Sequence, residues 1–190
     1  MAIRNTPHRW GVIAQLLHWL IVAFIIAQFT LATLFDDLPA GAKKLTLLSR
    51  HKSIGITILM LAAVRLAWRW ANPTPSLPDT LKPWERSVAK LTHALLYLLL
   101  FAVPVAGWTM SSARGFPVSW FGLFTLPDLV AKNKALYEML LTTHGVLAWT
   151  LGVVAIVHML AALKHHFVLK DDVLRRMLPF TAVKTPESGR

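Results

Sequence analysis

The chain has 190 residues, 55% of them hydrophobic and only 15% charged, with a mean hydropathy of +0.53 and a formal charge of +11. So apolar a composition excludes an ordinary soluble domain. Cysteine is absent, which removes disulfides as a source of stability.

In chain order, four apolar stretches stand out: Gly11–Phe35, His51–Trp70, Leu91–Ser112 and Leu141–Leu163. Each reaches the ~20 residues that a helix needs to cross a bilayer. The expected fold is all-α, an integral-membrane four-helix bundle forming one domain over residues 1–190. The first stretch is too long for a signal-peptide core and ends in Phe35-Asp36-Asp37, which is no cleavage site, so it is read as retained. Asn72-Pro73-Thr74-Pro75 stops the second span and opens a loop to about Lys90 that also holds Pro78 and Pro83. Pro104 is expected to kink the third span. Between the third and fourth spans, Gly115, Pro117 and Pro127 break the chain, and a short helix is expected around Leu129–Met139. Beyond Leu163, residues 165–178 are basic and amphipathic and read as a short C-terminal helix lying on the membrane surface.

Basic residues set the orientation. One side gathers Arg4, Arg9, Arg65, Arg69, Lys82, Arg86, Lys90, Lys164, Lys170, Arg175, Arg176, Lys184 and Arg190. The other has Lys43, Lys44, Arg50, Lys52, Arg114, Lys132 and Lys134. The richer side is expected to be cytoplasmic, with both termini there. Trp10, Trp68, Trp70, Trp84, Trp108 and Trp120 fall near span ends, as an interfacial belt. The net charge is thus accounted for by topology and lipid contact, with no nucleic-acid partner.

The histidines carry the chemistry. His144 and His158 lie 14 residues apart in one span. At ~1.5 Å and ~100° per residue they share a face and stand about 21 Å apart, one toward each membrane surface. Ionisable groups at such depth are costly and mark function. His51 is level with His144, whereas His18 and His93 both compete for the level of His158. Taken singly, each is best read as a hydrogen-bonded core histidine. As a set at two matched heights, they read as axial ligand pairs. Without cysteine, iron–sulfur clusters and thioether-linked haem are excluded, and the spans hold almost no carboxylates for a mixed N/O metal site. Two imidazoles in an apolar bundle then point to non-covalent b-type haem. Gly55, one turn from His51, and Gly145 and Gly152 beside His144 would admit a flat macrocycle. Arg65, Arg50 and Arg114 are candidates for binding propionates, with snorkelling to headgroups as the alternative, evenly weighed for Lys52 and Arg69.

At this point the chain resembles a known family, the bacterial cytochrome b561 proteins, related to the cytochrome b subunits of nickel–iron hydrogenases. The resemblance rests on Leu17-His18-Trp19, His51 with Gly55 and Arg65, Pro73-Thr74-Pro75, and His93 with Tyr97-Leu98-Leu99. It continues through Pro104, Gly107, Arg114-Gly115, Phe121-Gly122, His144, His158 and the tail from His165-His166 through Lys170-Asp171 to Arg176-Met177-Leu178-Pro179. It implies two haems b, with His18 and His158 on the inner side, His51 and His144 on the outer side, and His93 left over. It further implies a multi-pass protein of the bacterial inner membrane, an oxidoreductase that oxidises superoxide, or another periplasmic donor, and delivers electrons to ubiquinone. His93, Arg65 and His165 are candidates for holding the quinone, and the outer lysines and arginines for attracting an anion. Two alternatives stand beside this reading. One is an anchor subunit relaying electrons between quinone and a separate dehydrogenase or hydrogenase; the other is a haem-free bundle moving protons or metal ions.

Overall fold

The computed structural model describes residues 2–77 and 81–181, so Pro78, Lys184 and Arg190 lie outside the described residues. Within them the chain forms four helices, α1 (Val12–Asp36), α2 (Ala42–Trp70), α3 (Pro83–Arg114) and α4 (Lys134–Phe167), with a two-stranded hairpin of β1 (Ser119–Trp120) and β2 (Phe124–Thr125) between the last two. All four helices are long and apolar enough to cross a membrane. The all-α membrane architecture expected from composition is borne out.

Three helices begin well before their apolar stretches, because polar ends can extend into water wherever a cap stops them. At α3 the Glu85 carboxylate accepts the Lys82 N–H at 2.9 Å, with Pro83 in the first helical position, where its missing N–H costs nothing. At α4 the Asn133 Oδ1 accepts the Leu136 N–H at 3.0 Å. This cap absorbs much of the short helix expected around Leu129–Met139: from Lys134 onward it is the first turns of α4. α3 runs on through Pro104 and stops at Gly115, whose φ of +79° lets its N–H turn back onto Ser111 and Ser112 carbonyls.

Neighbouring helices pack in sequence order, α1 on α2, α2 on α3 and α3 on α4. The core lies where Ile21, Ile58, fully buried Ala62 and Leu100 meet, flanked by Phe24, Ile25, Ile54, Leu61 and Phe101. Alanine at the crossing lets the helix backbones approach, as membrane bundles require. Leu16, Ile26, Met60, Val64, Leu98, Val153 and Leu160 point outward, an apolar exterior suited to lipid. The bundle does not close, however. No Cα of α4 comes within 8 Å of α1 or α2, which leaves a slot between them.

The ends of the slot are sealed differently. At the hairpin end, β1 and β2 pair antiparallel with Trp120 opposite Phe124. The turn places Phe121 (φ 49°) and Gly122 (φ 77°) in the left-handed region. Fully buried Ser53 on α2 anchors it: Ser53 Oγ accepts the Phe121 N–H at 3.0 Å and lies 3.1 Å from the Ser119 carbonyl. Trp120 Nε1 donates to Thr57 Oγ1 at 3.1 Å, and Lys52 Nζ donates to Ser111 Oγ at 2.8 Å. Lys52 is therefore a strut for this loop rather than a snorkelling cation.

At the terminal end, the segment beyond α4 departs from the expected surface helix over 165–178. Residues 165–167 are the last turn of α4, and the chain then reverses at Lys170 (φ 55°) and continues as turns. Long-range hydrogen bonds pin the segment in that path. Gln15 Nε2 donates to the Arg176 carbonyl at 3.1 Å, Trp19 Nε1 to that of Met177 at 3.0 Å, and Arg9 to those of Leu178 and Thr181. Side chains of the N-terminal region thus hold the carbonyls of 176–178 and of Thr181 against the start of α1, fixing the path of the segment. Arg176 reaches the Ser76 carbonyl at 2.8 Å and Asn5 the Pro73 carbonyl at 3.0 Å, tying the α2–α3 loop into the same clasp.

Candidate functional site

The slot is crossed by aromatic side chains. His51 on α2 meets His144 on α4 near the hairpin end, with ring centres 6.3 Å apart and planes at 75°. His18 on α1 meets His158 on α4 near the terminal end, at 6.4 Å and 81°. Between the two levels, Phe29 packs on Trp149 at 5.7 Å and touches the Gly152 backbone, where a Cβ would come within 3.0 Å of its ring. The two heights inferred from the 14-residue step are therefore occupied by facing imidazoles.

Whether these pairs fit a haem can be judged from the separation. An iron gripped at about 2 Å by one nitrogen of each ring, with roughly 1.2 Å from nitrogen to ring centre, sets the centres about 6.3 Å apart. Both pairs match. His93 on α3 also reaches His158, but at 5.1 Å, too close for a shared iron. The wide slot is the second point of fit, since a macrocycle needs the backbones held apart where the ligand side chains meet. The third is hydrogen bonding. His144 Nδ1 lies 3.0 Å from the Val103 carbonyl, which fixes the ring and leaves Nε2 facing away. Beside it is Gly107, where a Cβ would come within 3.0 Å of the His144 ring. Gly107, not Gly145, is thus the glycine that makes room for His144; Gly145 has open space around it. Gly55 receives Gln28 of α1 instead. Among the described residues no group of three or more His, Cys, Asp or Glu side chains converges to hold a bare metal ion.

The remaining candidates separate. Arg65 lies in the electrostatic field of His18 and His158, and its Nη1 donates to the Ala14 carbonyl at 2.6 Å. His93 Nδ1 sits 2.7 Å from the Ala89 carbonyl of its own helix. Arg69 stands over the rings of Trp10 and Tyr97, 5.9 Å from each centre. Three others do not join the imidazole pairs. His165 Nδ1 is 2.5 Å from Asp171 Oδ2, a hydrogen bond that closes the turn after α4. Arg114 hydrogen-bonds the Tyr137 hydroxyl and stacks against its ring. Arg50 lines a cleft of about 500 Å³ with Thr46, Ser49, Ser53, Phe121 and Gly122. These α2 residues lie about 100–160° round the helix from His51. The residue that sequence reasoning missed is Gln28. An amide deep inside an apolar run was its signal.

Known proteins resemble this chain along most of its length. A family model described as prokaryotic cytochrome b561 matches residues 9–180, which takes in all four helices. Cytochrome b561 homolog 2 of Escherichia coli K12 is 38% identical over 94% of this chain and 95% of its own length. The probable superoxide oxidase CybB of Yersinia pestis is 33% identical over 86% of this chain and 92% of its own. Cytochrome b562 of Cereibacter sphaeroides is 29% identical over 85% and 90%. With two imidazole pairs spaced for iron in a bundle built for lipid, the chain belongs to the prokaryotic cytochrome b561 family, membrane oxidoreductases of electron transport that bind haem b.

Proposed function

We propose that the chain holds two haems b, one between His51 and His144 and one between His18 and His158, and passes electrons from a donor outside the membrane to ubiquinone. The observation that carries this reading is the ring-centre separation, 6.3 Å at one level and 6.4 Å at the other. Bound haem supplies reversible one-electron chemistry at iron. The protein's share is position: two ligand pairs on one face of α4, so that each level lies toward one leaflet.

By the charge argument the terminal end faces the cytoplasm of a bacterial inner membrane and the hairpin end faces the periplasm. Superoxide is the favoured donor, in keeping with the name of the CybB relative. Two superoxide anions, two protons and one ubiquinone give two dioxygen molecules and one ubiquinol. A small anion needs little pocket, but it responds to charge. Among the described residues, Lys43, Arg50 and Lys132 make no ion pair at the hairpin end, and they would raise its encounter rate. At the terminal end Arg65 would donate to a quinone carbonyl, and His93, whose Nδ1–H is held by the Ala89 carbonyl, would accept from the quinol hydroxyl through Nε2. Arg65 is also the best placed partner for a propionate there. His165, committed to Asp171, is a lesser candidate.

The test uses the purified chain alone in lipid vesicles with a ubiquinone analogue and a steady enzymatic source of superoxide. Quinol formation that superoxide dismutase abolishes is expected. Haem that stays oxidised under superoxide, but is reduced once a dehydrogenase partner is added, would replace this reading with that of a relay subunit.

A further inference from the structure

Within the apolar run of α1, Gln28 is a polar side chain that the bundle has no evident need to bury. Its Nε2 donates to the main-chain carbonyl of His51 at 3.0 Å, across the α1–α2 contact. That carbonyl already belongs to the α2 ladder, whose N–H partner one turn on is Gly55. Gly55 is what admits the amide, since a Cβ there would stand 3.1 Å from Gln28 Nε2. In return, the imidazole of His51 faces the main-chain carbonyl of Gln28. The exchange is not closed. His51 Nδ1 and Gln28 Oε1 are both buried without a hydrogen-bond partner. Buried orphans of this kind are rare and call for a reason.

The facing ligand supplies one. His144 has its Nδ1 on a main-chain carbonyl of the neighbouring helix, that of Val103 at 3.0 Å, an arrangement that presents Nε2 to a metal. Gln28 offers His51 the equivalent carbonyl, and its side chain fixes the register of α1 on α2 that keeps the carbonyl there. A haem held by Nε2 would leave the His51 Nδ1–H to donate to that carbonyl. We propose that Gln28 is a positioning residue for His51, clasping it at two points so that its ring presents Nε2 to the haem at the hairpin end. This inference rests on His51 being a haem ligand.

The experiment compares haem-loaded Gln28→Leu and Gly55→Ala variants with the unmodified chain, using His51→Ala as the control. Haem per polypeptide, the midpoint potential of each haem and the low-spin electron paramagnetic resonance signals are read. Gln28→Leu is expected to hold one haem about 10–100-fold less tightly and to shift its potential and resonance while the other haem stays unchanged. Gly55→Ala keeps the amide but crowds it, and should move the same haem by a smaller amount. Should Gln28→Leu fail to accumulate, Gly55→Ala decides alone: a shift supports the clasp and an unchanged spectrum overturns it. Two haems retained at unaltered potentials and resonances in both variants would also overturn it. A His51→Ala protein that keeps both haems would instead refute the ligand assignment itself.

Discussion

At the hairpin end of the slot, His51 and His144 face each other beneath a loop that Ser53, Lys52 and Thr57 hold shut. At the terminal end, His18 and His158 share their surroundings with His93 and Arg65, with Arg69 stacked nearby on Tyr97. The imidazole spacing is nearly the same at both ends, so the difference lies in what surrounds the pairs. A site built only to hold a haem needs a ligand pair, a fixed ring and a cover, and the hairpin end has these. The terminal end has an additional imidazole and a cation beside the pair. Such groups suit a second reactant that must be hydrogen-bonded and protonated, which is why the quinone is assigned there.

The largest expected effects test that division. His51→Ala or His144→Ala should remove one haem, and His18→Ala or His158→Ala the other, read as a fall from two to one per chain. If His93→Ala loses a haem while His18→Ala keeps both, the pairing at the terminal end is wrong. Next, His93→Leu should retain both haems but slow quinol formation about tenfold, the equivalent of one lost hydrogen bond of ~1.4 kcal/mol in the rate-determining step. An unchanged rate would make the two ends functionally alike.

Smaller effects probe the covers. Ser53→Ala removes the acceptor of the Phe121 N–H and should cost about 1 kcal/mol, seen as a lower melting temperature. Gln15→Leu, at the other end, leaves the Arg176 carbonyl without its side-chain donor. It should expose residues 168–181 to protease at a cost of about 1 kcal/mol. The smallest effect concerns steering. Replacing Lys43 and Arg50 by Gln should slow superoxide-driven reduction about two- to fivefold at low ionic strength and hardly at all above 0.5 M salt. A loss independent of salt would point to a binding contact instead.

The spans were legible because twenty apolar residues in a row have one good solution in lipid, and the histidine levels because helical geometry converts a 14-residue step into one face. Other features depended on contacts between distant segments. The hairpin was invisible because two-residue strands carry no pattern; only the Phe121-Gly122 turn hinted at it. Residues 168–178 do have an amphipathic pattern, but Gln15, Trp19 and Arg9, up to 169 residues away in sequence, hold its last carbonyls against α1 and so fix its path. The room beside His144 comes from Gly107 on another helix, so the neighbouring Gly145 misled. Arg50 is a propionate candidate by its side of the membrane, but it lies about 100° round α2 from His51, in the cleft with Ser53 and Phe121.

The central claim is that two iron porphyrins sit at two heights, each between two imidazoles. The most direct measurement is a redox titration of the purified chain, followed in the α band together with haem per polypeptide. The account predicts two haems b per chain, titrating as two one-electron components, with His144→Ala and His158→Ala each removing a different one. A single component at one haem per chain after full loading, or the same component lost in both variants, would contradict it.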